Sequence, residues 1–177
     1  MPARMKSTTA VLVVDMINDF VLKGAPLEVP RARGIIGHLK KRLARASRDR
    51  VPIIYVCDRH RKDDPEFGVW PRHAVNGSPG SEVVAELKPR SRDYIVDKIT
   101  YSAFFRTKLE KLLKKLGTRK LVITGVCTEV GVLYTAADAY MRGFQVEVPE
   151  ECVAGLSEGD HRFALRQIAK VLKPCQG

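Results

Sequence analysis

Short apolar runs alternate with segments of helical period along the chain, and that alternation leaves few folds open. Ala10 to Val14, Val51 to Cys57, Tyr94 to Val96, Leu121 to Thr124 and Phe144 to Val148 are each too brief for an ordinary helix, and most are rich in β-branched residues. A strand that is apolar at successive positions is buried on both faces, which is the habit of parallel sheets. Between the runs, Ile35, Ile36, Leu39 and Leu43 mark a helix closing near Ser47. Further helices are expected over Glu82 to Leu87, Phe104 to Leu116 and His161 to Leu172. Strands joined by helices predict an α/β fold: a mostly parallel sheet with helices on both faces, a three-layer sandwich. A chain of 177 residues, 45% hydrophobic, suffices for one core and is short for two, so residues 1–177 read as one domain.

In such sheets ligands bind beyond the carboxyl ends of the strands. Four of those ends carry Asp15, Asp58, Lys98 (just past the third strand) and the Gly125 to Thr128 turn. The last belongs to LVITGVCTEVGVLYTAAD, residues 121–138, which reads as a buried strand, a tight turn and a helix opened by Thr128 as N-cap with Glu129 in its first turn. A strand running straight into a helix points free backbone N–H groups above the sheet edge, where an anion or a developing oxyanion would sit. Gly131, early in that helix, costs about 1 kcal/mol relative to alanine, so helix stability did not select it.

Residues 58–80 hold no periodicity but much Pro, Gly and charge, and a loop of that length inside a compact domain is usually functional. Within it Asp58 and His60 project to the same side of an extended backbone, and Glu66 and His73 follow. Two imidazoles and two carboxylates suit a borderline divalent ion such as zinc, manganese or iron and hardly suit calcium. Residue types alone leave surface contacts as an equal reading.

The net charge of +11 falls mainly in residues 31–50 and 106–120. In the second cluster Lys108, Lys111, Lys114 and Lys115 lie mostly between leucines at helical spacing, as on a solvated helix face, so nucleic acid is not expected as a partner. The apolar run after the basic amino terminus stops at Asp15, too short for a secretory or membrane segment, and a cytoplasmic location without membrane contact is expected. Cys57, Cys127, Cys152 and Cys175 lack framework spacing and suit reduced thiols, the first and third as buried small hydrophobes and Cys175 in a frayed tail. Bland roles, solvation or capping, are read for His38 and His161.

Four separated motifs carry a family resemblance: VLVVDMINDF (11–20), DRHRKDDPEFGVWPRHAVNGSPGSE (58–82), VDKITYSAF (96–104) and ITGVCTEVGVLYTAADAYMRGF (123–144). Together they resemble the nicotinamidase branch of the isochorismatase-like hydrolases over nearly the whole chain. The resemblance implies a metal-dependent hydrolase of NAD metabolism, converting nicotinamide to nicotinate and ammonia, with a small molecule as partner and a homo-oligomer left open. It implies Asp15 as general base, Lys98 steadying charge, and Asp58, His60, Glu66 and His73 around a divalent ion, zinc first with manganese or iron as alternatives. Phe20, Trp70 and Tyr101 fall at the family's aromatic pocket. A cis peptide at Val126-Cys127 is implied as well, with oxyanion N–H groups from the turn holding Cys127 and Gly131.

One position departs. Nicotinamidases resemble GVCTDICV in this turn, with the attacking cysteine in the first turn of the helix, whereas this chain has GVCTEVGV and places Gly131 there. Isochorismatases of the same superfamily carry glycine at this place, use the aspartate as an acid to cleave an enol ether, and generally lack the metal motif. Three readings follow: Asp15 acid chemistry of the isochorismatase type, an inactive small-molecule binder, or a nucleophile supplied by Cys127.

Overall fold

Successive residues of the first strand point to opposite faces of the sheet, and each face has its own core. The structure, a computed structural model, describes residues 8–173, which leaves Cys175 outside it. The strands are β1 (Thr9–Val14), β2 (Ile53–Asp58), β3 (Tyr94–Lys98), β4 (Lys120–Val126), β5 (Gln145–Glu147) and β6 (Val153–Ala154). The helices are α1 (Asn18–Val21), α2 (Ala32–Arg48), α3 (Leu109–Leu116), α4 (Leu133–Met141) and α5 (Glu158–Val171). The strand order is β3-β2-β1-β4-β5, β6 pairs with the end of β4, and every pairing is parallel.

Val11, Val13, Ile53, Tyr55 and Val122 pack with Leu39 and Leu43 of α2 on one face. Ala10, Leu12, Val14, Ile54, Leu121 and Ile123 pack with Leu109, Leu113, Ala136 and Ala139 of α3 and α4 on the other, joined by Leu165 and Ile168 of α5. The three-layer α/β sandwich expected from the apolar runs is therefore the observed one. On α3 Lys108, Lys111, Lys114 and Lys115 are exposed while Leu109 and Leu113 are buried. Among the described residues no helix is long and apolar enough to cross a membrane.

Several local expectations are corrected. Glu82 to Leu87 is not a helix: Val83 bridges Ile17, the Val84 N–H donates to Met16, and only Ala85–Leu87 makes a 3-10 turn. The helix expected from Phe104 begins at Leu109. Arg106 sits at φ 53, a left-handed conformation outside the helical region, and the Thr107 hydroxyl accepts from the Leu109 N–H. Lys98 is the last residue of β3 rather than the residue after it. The sheet has a sixth strand, β6, whose two residues are too few to show a period. Thr128 does not cap its helix: the strand passes from Cys127 into a wide π turn, Thr128–Val132, with no side-chain cap.

Gly125, near the end of β4, has φ 104, and a Cβ there would run into the Val14 carbonyl of the neighbouring strand. Both the conformation and the close approach require glycine. Gly125→Ala is expected to cost about 3 kcal/mol or more, read as a lowered urea midpoint. An unchanged midpoint would show that the strand-to-turn junction relaxes freely.

Candidate active site

Three neighbouring strands end on charged residues, and those ends meet. Lys98 Nζ donates to Asp15 Oδ2 at 2.7 Å and to Asp58 Oδ1 at 2.6 Å, while the Asp58 N–H donates to Asp15 Oδ1 at 2.8 Å. All three side chains are buried, as charges in an interior are only when paired. Asp15 follows β1 at φ 50, a conformation aspartate tolerates better than most residues. Burial, and then the charge of Asp58, push the Asp15 carboxyl up to about 7. Asp58 is held below the usual range because Lys98 and then His60 outweigh its burial. Lys98 is raised, its own burial being outweighed by the two carboxylates. Asp15 is thus poised to take or give a proton near neutral pH.

The second oxygen of Asp58 faces a cluster of possible metal donors. Ligand atoms of Asp58, His60 and His73 all lie within 4.8 Å of one another. Asp58 Oδ2 stands 3.7 Å from His60 Nε2 and 3.9 Å from His73 Nε2, and Glu66 Oε1 stands 3.9 and 4.0 Å from the same nitrogens. These separations are too long for hydrogen bonds and close to those between donors sharing one ion at about 2.0–2.2 Å. The buried His60 ring leaves both nitrogens without a hydrogen-bond partner among the described residues. His73 Nδ1 lies 2.7 Å from the Pro71 carbonyl, so Nδ1 carries the proton and Nε2 keeps its lone pair toward the cluster. The residues fit a divalent ion.

Above these groups lies a narrow cleft that opens to solvent, about 410 Å³ of empty space when the open mouth is included. Asp15, Lys98, Asp58, Glu66 and His73 line it together with Phe20, Trp70, Tyr101, Cys127 and Gly131. The Trp70 indole donates to the Tyr101 hydroxyl at 3.1 Å, and Phe20 meets the His73 ring edge-on at 5.4 Å between centroids. Of the catalytic, aromatic and donor residues expected from the sequence, His60 alone does not line the cleft; its ring lies 4.7 Å from that of His73 between centroids.

Gly131 lies in the π turn, facing Asp15. A Cβ built there would be 3.4 Å from Asp15 Oδ2, 3.2 Å from the Val126 carbonyl and 3.0 Å from Val14 Cγ1. The Val126-Cys127 peptide is cis. Cys127 is buried, and that burial, with Glu129 and Asp15 nearby, pushes its thiol far above the usual range. It is a protonated thiol at neutral pH, a weak nucleophile.

Further residues shape the site through contacts that the sequence did not show. The Thr128 hydroxyl pairs with His161 Nδ1 at 2.8 Å, tying the turn to α5. Glu129 accepts from the Leu156 N–H at 2.7 Å, and Asp19 accepts from the Ala74 N–H at 2.8 Å beside His73. Asp64 caps the 3-10 turn Pro65–Gly68, and its signature, an acid directly before a proline, was legible.

A parallel sheet with an acid, a lysine and a second acid at adjoining strand ends, beneath a cleft edged by metal donors, is the arrangement of an isochorismatase-like α/β hydrolase. The chain belongs to that family: the profile described as Isochorismatase domain matches residues 9–176. It is 37% identical to a solved isochorismatase-like hydrolase from Alkaliphilus metalliredigens, with a TM-score of 0.90 over 94% of this chain and 93% of that one. A pyrazinamidase of Pyrococcus horikoshii, solved in complex with zinc, is 31% identical with a TM-score of 0.88 over 92% and 95% of the two chains. An uncharacterised isochorismatase family protein of Bacillus subtilis is 32% identical over 173 residues, 94% of this chain and 92% of the relative.

Two outcomes are expected. Lys98→Met leaves two buried carboxylates facing each other and should cost about 3–5 kcal/mol, with Asp15→Asn in the same chain recovering part; equal melting temperatures for wild type and Lys98→Met would contradict this. Peptide mapping after alkylation near pH 7.5 should find Cys127 unmodified in the native protein and modified once unfolded. Rapid native labelling would mean that the thiol is ionised and reached by solvent.

Proposed function

We propose that the cleft binds a small planar aromatic amide of the nicotinamide class, and that the chain hydrolyses it poorly because no sulfur faces Asp15. The observation that carries this reading is the place of Gly131, whose missing side chain would have pointed at the Asp15 carboxylate. Phe20, Trp70 and Tyr101 give a planar ring its walls, and the Trp70–Tyr101 hydrogen bond holds two of them in place. A divalent ion, zinc by donor type, would be held by Asp58, His60, Glu66 and His73. When bound, it supplies a Lewis-acid point at one wall that can fix a ring nitrogen.

Asp15 is the proton carrier of the site. As its carboxylate it can take a proton from an attacking nucleophile, and as its acid it can give one to a leaving group. Lys98 holds it in one orientation and compensates its charge. The thiolate that would split amide cleavage into two easier steps is absent at position 131, and the protonated, buried Cys127 is a poor substitute. A second reading draws on the raised pKa of Asp15, about 7, which keeps much of it protonated at neutral pH: acid-promoted cleavage of an enol ether of the isochorismate class. The two readings share the cleft and differ in which form of Asp15 acts.

Ammonia release from nicotinamide separates them. Gly131→Cys should raise it by about 10²-fold or more, at a stability cost of about 1 kcal/mol because Val14 must give way. Cys127→Ala should leave the wild-type rate little changed. Strong wild-type amidase activity abolished by Cys127→Ala would make Cys127 the nucleophile. Isochorismate cleavage indifferent to Cys127 would establish the acid mechanism instead.

A further inference from the structure

The loop that carries the donor cluster contains a carboxylate with no place in the cleft. Asp64 does not line the pocket, yet its two oxygens reach the two donors it lies between in sequence. Asp64 Oδ2 stands 3.2 Å from His60 Nδ1, an ion-pair approach whose angle falls short of a hydrogen bond. Asp64 Oδ1 accepts from the Glu66 N–H at 3.0 Å and so caps the turn Pro65–Gly68. The same turn places Phe67 edge-on against the His60 ring at 5.6 Å between centroids. We propose that Asp64 is a positioning residue for a divalent cation, orienting the His60 imidazole through Nδ1 and placing the Glu66 carboxylate through the turn it caps.

The chemistry follows from what a neutral imidazole can offer. One nitrogen carries the proton and the other the lone pair, and only the lone pair binds a cation. His60 Nε2 faces Asp58 and Glu66 within the donor cluster, while Nδ1 faces Asp64. An anionic acceptor beside Nδ1 favours the tautomer with its proton there and leaves Nε2 free to ligate, the usual role of a carboxylate behind a metal-binding histidine. His73 has its Nδ1 anchored on the Pro71 carbonyl, so the two rings are set by different devices. Asp64 adds a second function, since the turn it caps begins with Pro65 and Glu66. One side chain therefore adjusts two donors on different segments of backbone.

The inference rests on the metal reading above, and the test keeps the two apart. An asparagine at position 64 has one acceptor oxygen where the carboxylate has two. If that oxygen caps the Glu66 N–H, the amide N–H₂ faces His60 Nδ1 and favours the wrong tautomer; if it faces His60, the cap is lost. Zinc affinity of the purified chain, measured by chelator competition, should fall about 10-fold in Asp64→Asn and up to about 100-fold in Asp64→Ala. Nitrogen NMR of the apo protein gives a readout that general loosening would not move: His60 should be protonated on Nδ1 in the wild type and shift toward Nε2 in Asp64→Asn. Asp64→Asn should leave the apo melting temperature near that of the wild type, which keeps the test valid if Asp64→Ala folds poorly. Zinc binding by the wild type with equal affinity in Asp64→Asn would overturn the role of Asp64 alone. No zinc binding by the wild type would overturn the metal reading and this inference together.

Discussion

The Lys98 ammonium, buried between two carboxylates, is the interaction on which the rest of the site depends. Asp58 and Lys98 end adjacent strands as register partners, and Asp15 follows directly on the strand beside them. A slip of one residue in any strand would turn one of these charges to the opposite face. Such a buried cluster contributes little net stability, since desolvation offsets much of the attraction. Its effect is to make wrong registers costly, because each would leave a charge buried without its partner. Asp58 extends the cluster further, giving one oxygen to Lys98 and turning the other toward His60 and His73. The proton-handling group and the donor cluster are thus two ends of one electrostatic unit.

The π turn at Thr128–Val132 completes the site from the other side of β1. Such wide turns are rare, and many of them sit at functional sites. Here the turn brings position 131 against the end of β1 and over Asp15, where glycine leaves only hydrogen facing the carboxylate. Helix propensity alone would not choose glycine at that position. The thiol four residues earlier is shut into the interior, where its protonated form is favoured.

The layering of the fold was legible in the sequence because both-face burial leaves an unbroken apolar run, and a parallel sheet needs such runs. Strand-end residues were legible for the same reason: once the strands are placed, Asp15, Asp58 and Lys98 fall on one edge. Contacts between distant segments were not legible. Nothing in the sequence pairs Thr128 with His161 or Asp19 with Ala74, and the hydroxyl that reads as a helix cap is engaged by a ring from another helix. Leu109 to Leu116 was readable as helix, but its start was misplaced because a single left-handed residue, Arg106, interrupts a segment whose side chains are otherwise suited to a helix. Strand β6 was too short to carry any period.

The loop between His60 and His73 has its two limbs already laid side by side: the His60 N–H donates to the Ala74 carbonyl, and the Asn76 N–H donates to the His60 carbonyl. Trp70 and Glu66 lie on the hoop between them. A cation held by both histidines would act as a drawstring on that hoop and would stiffen the wall that Trp70 gives the cleft. By reciprocity of linked equilibria, whatever factor the cation would add to the hold on a ring lodged against Trp70, the ring would add to the hold on the cation. The cleft and the donor cluster would then share one affinity scale even for a ligand that never touches the ion.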